Sequence, residues 1–308
     1  MIEYIAVTNV GKNVRTELPL SNPYETGIAV INVDGLGPSA GTINVTDIAG
    51  GDGSVFNSSR LQTKNITLTL EFLHPNKLKK SIEEVRLFTY ELFPVKKPIE
   101  FEVKTSNRHA KIFGYVESND PSIFSRSEST EISIICPDPY FYAIDENGSF
   151  VEQFDSTKGG FTFAFSNPQG RSELKFSEII SKEEKVISYS GDIPSGLVIT
   201  VDVHGDVEML RIAKTNTAEF ISIDTSLFNR YGKGKLVSGD KLIINTNNRN
   251  KKVRLYRGGK EYNVLHTMSM DSSWINVTPG RNIFAYSTLT GIENLEITLD
   301  YNIMYEGV

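Results

Sequence analysis

The sequence carries a single cysteine, Cys136, in 308 residues. That excludes an internal disulfide and any thiolate cluster for zinc or iron. Beside Ile134 and Ile135 it reads as a small buried hydrophobe, with apolar surroundings that raise its thiol pKa and blunt it as a nucleophile. Histidine is scarce as well: His74, His109, His204 and His266 are scattered, without the i,i+4 spacing of a helical metal pair. No G-x-S-x-G elbow occurs. No uninterrupted apolar run approaches the ~18 residues of a membrane helix, so membrane insertion is not expected. The opening MIEYIAVTNVGKNV lacks the basic and apolar regions of a secretory signal, which predicts folding in the cytoplasm. Net charge is −6, and the first 150 residues hold 14 Lys and Arg against 19 Asp and Glu. A nucleic-acid reader is expected to run basic, so sequence-specific nucleic-acid binding is not expected either. The residues thus supply no catalytic group, metal site or cofactor site, and the chain reads as no enzyme.

What remains is strand pattern. Asn65–Phe72 alternates with a period of two, Ile66, Leu68, Leu70 and Phe72 on one face. Leu78, Ile82, Val85, Phe88 and Leu92 then recur at helical spacing, with Pro75 suited to the first turn and Pro94 ending the helix at Phe93. Strands follow at Pro98–Val103, Ala110–Val116 and Glu131–Cys136, and Met1–Val10 suggests an edge strand. The polar stretch between Val116 and Glu131 is too long for a tight turn and predicts an arm around Asp120–Ser129 that needs a neighbour to pack on. Pro137 and Pro139 remove two backbone donors, so the sheet ladder is expected to end there.

The glycines between Gly27 and Gly53 do not make a dinucleotide fingerprint, because Pro38 intervenes and the strand-like TINVTDI follows. After a connecting region come seven short strand signals between Gly196 and Tyr301, separated by turns such as Ser238-Gly239-Asp240 and Thr278-Pro279-Gly280. The expected architecture is mainly β. It comprises an N-terminal β-rich domain with one helix (1–142), a connecting region (143–185) and a C-terminal jelly-roll or galectin-like β-sandwich (186–308). Trp274, the only tryptophan, is a candidate sugar-stacking platform or a core residue. The basic run Arg249–Arg257 has only Tyr256 as an interleaved aromatic and reads as a polar face. The acid pairs Glu183–Glu184 and Asp202–Asp206 read as solvated surface.

The order of these features resembles the distal tail proteins (Dit) of long-tailed phages that infect Gram-positive bacteria. The resemblance rests on GGDGSVF at Gly50–Phe56, the strand Ile66–Phe72 entering the helix, and DPYFY at Asp138–Tyr142. In the second half it rests on GDKLIINT at Gly239–Thr246, SSWINVTPGRN at Ser272–Asn282, and the ending NLEITLDYNIMYEGV. VEMLRI at Val207–Ile212 lacks the Asn-Pro associated with that position. The resemblance implies a homohexameric ring at the virion tail tip, a hub joining the tail tube protein to a tail-associated lysin or fibre protein, made in the bacterial cytoplasm. A ring uses heterologous contacts, with one patch meeting a different patch on the next copy. Candidate interface residues are Asp52, Phe56 and Arg60 on the glycine-rich loop side, and Ile123, Phe124 and Arg126 on the expected arm. The alternative reading is a carbohydrate-binding module for host cell-wall recognition, with Trp274 as its contact.

Overall fold

The computed structural model describes residues 1–73, 81–125, 127–144, 150–154, 157–159, 177–179 and 184–308. The chain divides into two compact units, Met1–Glu146 with Met304–Val308, and Asn147–Ile303.

The first unit is built on a nine-stranded sheet. Its strands are β1 (Ile2–Asn9), β2 (Val14–Pro19), β3 (Ile28–Asp34), β6 (Lys64–Phe72), β7 (Pro98–Thr105), β8 (His109–Ser122), β9 (Ser129–Cys136), β10 (Phe141–Ala143) and a last strand, Met304–Tyr305. The main path runs β2-β1-β7-β8-β9-β6-β3. β1 is therefore interior, paired on both sides, and β2 takes the edge expected of it. Two further strands, β4 (Gly41–Asp47) and β5 (Ser54–Leu61), form a separate two-stranded sheet. β6 alternates as its sequence requires: Lys64, Ile66, Leu68, Leu70 and Phe72 are buried. Ile5, Val7, Phe101, Val103, Ile112, Ile132 and Ile134 join the same core.

Over this core lies the helix α1 (Ile82–Leu92), which buries Val85, Thr89 and Leu92. Ser81 caps it, its hydroxyl accepting from the Glu84 amide while the Glu84 carboxylate accepts from the Ser81 amide. The expected start near Pro75 and Leu78 lies outside the described residues. The ladder breaks at Pro137, but the sheet does not end there. β10 resumes it along β8, pairing Tyr142 with Lys111, and pairs on its other side with the last strand, Phe141 opposite Tyr305.

The second unit is a β-sandwich. One sheet orders β11 (Phe150–Gln153), β23 (Leu295–Tyr301), β15 (Ser195–Val203), β18 (Lys241–Asn245), β19 (Lys252–Arg257) and β20 (Lys260–Asn263), with β21 (Asn276–Val277) beside β15. The other orders β14 (Glu184–Tyr189), β22 (Gly280–Thr290), β16 (Glu208–Lys214) and β17 (Glu219–Ile223). A small pair, β12 (Thr157–Gly159) and β13 (Ser177–Ile179), stands apart. Alternate residues of β15 and β23 are buried. Phe154 meets Tyr286 edge-on at 5.2 Å, and Tyr189 lies 6.1 Å from Tyr301, so aromatic rings join the two sheets. The VEMLRI segment, which lacks the Asn-Pro associated with that position, is largely the strand β16.

Two buried polar knots hold the loops of this unit. The Arg257 guanidinium donates to both Asp240 carboxylate oxygens, at 2.9 Å from Nε and 2.6 Å from Nη2. It also donates to the carbonyls of Tyr231, Lys233 and Lys235, fixing the loop between β17 and β18. The WINVTPGRN stretch owes its form to Asn282 and Lys214, both fully buried. Asn282 donates to the carbonyls of Thr278 and Gly280 and accepts from the Thr278 amide, while Lys214 Nζ donates to the Asn276 carbonyl at 3.1 Å and Thr278 Oγ1 at 2.9 Å. Burial pushes the Lys214 pKa down.

Removing one member of a buried ion pair leaves the other charged and unpaired. Arg257→Ala is expected to destabilise the second unit by about 3–5 kcal/mol, the range for a broken buried pair. A denaturant titration followed by the fluorescence of Trp274, which belongs to that unit, measures it; a loss below 1 kcal/mol contradicts the knot's assigned role.

Candidate assembly surface

Side chains of residues directly opposite in an antiparallel ladder share one face. In the β4–β5 hairpin Gly41 faces Leu61, Ile43 faces Ser59 and Val45 faces Phe56, with an irregularity after Asn44. One face therefore gathers Ile43, Val45, Phe56 and Leu61. The opposite face holds Thr42 with Arg60, Asn44 with Ser58, and Thr46 with Val55. Polar bonds lace the hairpin: Asn44 Nδ2 donates to Ser58 Oγ at 2.9 Å, Asn57 Nδ2 to Thr46 Oγ1 at 2.6 Å, and Ser54 Oγ to Asp47 Oδ1 at 2.9 Å. Gly50 and Gly53 adopt positive φ and turn the chain at the tip.

This hairpin is amphipathic, yet nothing among the described residues covers its apolar face. Ile43 is 66% exposed and Phe56 61% exposed. A two-stranded hairpin is marginal in water alone, and each large apolar side chain gains about 1.5–3 kcal/mol on full burial. The hairpin is thus a projecting element with a vacant hydrophobic side.

The sequence pointed to two places, the glycine-rich loop side and an arm around Asp120–Ser129. Asp120, Pro121 and Ser122 continue β8 and pair with Glu131, Thr130 and Ser129 of β9, so the expected arm begins and ends as sheet. Only the turn between β8 and β9 stands out. Its residues Ile123 and Phe124 are exposed, Phe124 fully. Leu87 and Tyr90 on the outer side of α1 are exposed at the same end of the unit. There Arg86 pairs with Glu128 at 3.0 Å, and Asn119 Nδ2 reaches the carbonyls of Thr89 and Phe93.

The residues singled out in the sequence therefore fall in two places. Phe56 lies on the apolar face of the hairpin, Arg60 on its polar face and Asp52 in its exposed turn. Ile123 and Phe124 form the turn at the α1 end, and Arg126 lies outside the described residues. Ile43, Val45, Leu61, Leu87 and Tyr90 had gone unnoticed. The TINV alternation next to the glycines was the available signal for the hairpin, and Leu87 and Tyr90 sit off the buried stripe of α1. Trp274 is half-buried, with Lys251 Nζ 5.6 Å from its ring centre. A lysine over the ring competes with any sugar for that face.

The titratable groups tell of packing. Burial pushes the Cys136 thiol up to about 12. His204 contacts Glu296 at 3.2 Å on the surface, and His74 lies outside the described residues. Among the described residues no group of three or more His, Cys, Asp and Glu is placed to hold a metal ion, and no helix is long and apolar enough to cross a membrane. His109 joins a cluster on the face of the main sheet away from the core. Glu102 there receives Arg15 at 2.8 and 2.9 Å and Tyr4 Oη at 3.0 Å, and its Oε1 lies 2.7 Å from His109 Nε2. Burial raises the Glu102 carboxyl, but hydrogen bonds from Arg15, His109 and Tyr4 outweigh it and hold its pKa down at about 2.

The fold is thus a sheet unit with an exposed amphipathic hairpin, followed in the chain by a β-sandwich. The particular family follows from comparison. Residues 190–305 match the siphovirus-type tail component, C-terminal domain. The fold of the whole chain is that of the Dit protein (gp 19.1) of phage SPP1, described as a paradigm of hub adsorption apparatus in Gram-positive infecting phages. The match has a TM-score of 0.61 and 10% identity, covering 97% of this chain and 98% of that one. Two structures of the phage p2 baseplate in its activated conformation, with Ca and with Sr, align at TM-scores of 0.44 and 0.43 and 13% identity, over 97–98% of both chains. No curated protein matches significantly. The chain is thus similar to the distal tail proteins of siphophages, by family over most of its second unit and by fold throughout.

The Glu102 cluster has a signed pH dependence. A carboxylate whose folded pKa is about 2, against an ordinary 4.5, contributes stability that is complete above 4.5 and is lost as pH falls toward 2. Glu102→Gln is expected to cost about 3 kcal/mol at neutral pH, from the size of that shift. It should also flatten the acid limb of stability between those two pH values, measured by denaturant midpoints; an unchanged limb counts against the cluster as its source.

Proposed function

We propose that this chain is a structural hub of a phage tail tip or baseplate, forming a closed ring with copies of itself, six by analogy with the family it resembles. The observation that carries the reading is the uncovered apolar face of the β4–β5 hairpin. A vacant face of this kind is stable in solution only when something covers it, and a tail component repeated around an axis supplies an identical neighbour. The second patch, Ile123 and Phe124 with Leu87 and Tyr90, provides the different surface that a heterologous contact requires. Asp52 and Arg60 are proposed to flank the contact that Phe56 makes; Arg126, expected beside Ile123 and Phe124, lies outside the described residues. The ring would join the tail tube protein to a tail-associated lysin or fibre protein, at the virion tail tip. The role is one of fitting and holding, with no chemical step. Nothing at Trp274 favours the carbohydrate-binding alternative over this reading, since Lys251 lies over its ring.

The test is solution mass by light scattering, backed by negative-stain imaging. The wild-type chain is expected to reach the mass of six copies, and Ile43→Ser with Phe56→Ser to shift it toward one copy while both units keep their circular dichroism. A double variant that assembles as well as the wild type would sink the hairpin contact.

A further inference from the structure

The hairpin has a root, and the root is held by the far end of the chain. The entry to β4 is the segment Gly35–Ala40 and the exit from β5 is Gln62–Lys64. Lys64 is buried although it is a cation. Its ammonium donates to the carbonyl of Gly37 on the entry side and, at 3.3 Å, to the carbonyl of Glu306, and it lies 5.2 Å from the centre of the Phe141 ring. The amide of Val308 donates to the Leu36 carbonyl at 3.1 Å. Arg108 Nη1 donates to the Gly307 carbonyl at 2.6 Å, and its guanidinium stacks 4.3 Å from the Tyr305 ring. Gly307 itself has no room for a side chain: a Cβ there would sit 2.8 Å from the Leu36 carbonyl oxygen and 3.1 Å from Gly37 Cα.

These contacts are interdependent. A buried ammonium is tolerated only where its hydrogens find acceptors. Here one acceptor belongs to the hairpin root and another to Glu306, some 240 positions along the chain. Without Glu306 the cation loses one of these acceptors, and burial already pushes its pKa down. Withdrawing the terminal segment therefore weakens a side chain that ties the root's entry to its exit.

We propose that Glu306–Val308 is a latch that fixes the root of the β4–β5 hairpin, so that the direction in which the hairpin presents its apolar face is set by the chain's return from the second unit. The consequence for assembly rests on the ring reading above; the latch itself does not.

Two variants of the full chain test it. Gly307→Val forces the terminal segment away from Leu36 and Gly37, and Lys64→Met removes the bridging ammonium while keeping most of the stem. Hydrogen exchange is read in peptides covering residues 35–41 and 60–66, with β15 and β23 of the second unit as an internal control. Both variants are expected to speed exchange at the root about tenfold through local opening, with the control strands unchanged. Root exchange as slow as in the wild type, in both variants, overturns the latch. So does faster exchange that appears equally in β15 and β23, because that is general unfolding. Solution mass on the same samples separates the two proposals. A wild type that stays monomeric while its variants lose root protection refutes the ring and supports the latch.

Discussion

Phe141–Ala143 and Met304–Tyr305 pair antiparallel, Phe141 against Tyr305 and Tyr142 against Met304, and the architecture of the chain depends on that pairing. It lets the polypeptide leave the first unit, build a complete β-sandwich and return to finish the sheet it left. Phe141 is fully buried, so the pairing is sealed into the core and is not a surface clip. The sandwich is in this sense an insertion between two strands of one sheet. Covalent continuity holds it at both ends, an economical way to give one subunit two modules.

The first unit spends its burial unevenly. One face of its sheet is closed by α1 and by a continuous apolar cluster. The hairpin, made from the same chain, leaves Ile43, Val45 and Phe56 in water. Selection against loose apolar surface makes such an element costly unless it is covered in the working state. On the other face of the sheet the charges are matched locally, Glu102 with Arg15 and Glu100 with Lys111 at 3.0 Å. Stability there comes from pairing within the chain.

Much of the fold was legible in residue patterns. The period of two in β6, the helical stripe of α1 and the turn-separated strands of the sandwich follow from side chains alternating in or out of a core. That relation is local and needs no knowledge of partners. The mainly β class, the helix α1 and the burial of Cys136 follow from it. The glycine-rich loop at the hairpin's tip stood out in the sequence while the pairing of its flanking strands did not, and the expected arm at Asp120–Ser129 continues in part as β8 and β9, because strand pairing is a matter of register with other strands. The Ser129–Glu131 ladder with β8 and β6 could absorb that segment only once both neighbours were in place. Likewise nothing near Glu102 signals Arg15 or Tyr4, which lie 87 and 98 positions away.

The sequence by itself marked the strands β6 to β9, most strands of the sandwich and the buried stripe of α1, because these depend on spacing along the chain. Only the tertiary structure decided that Lys64 would be a buried bridge, that Gly307 must be glycine, and that Ile43 and Phe56 would face the same empty side. The first two are contacts between residues the chain brings together from far apart, and the third is the register across the hairpin, which spacing along one strand does not encode.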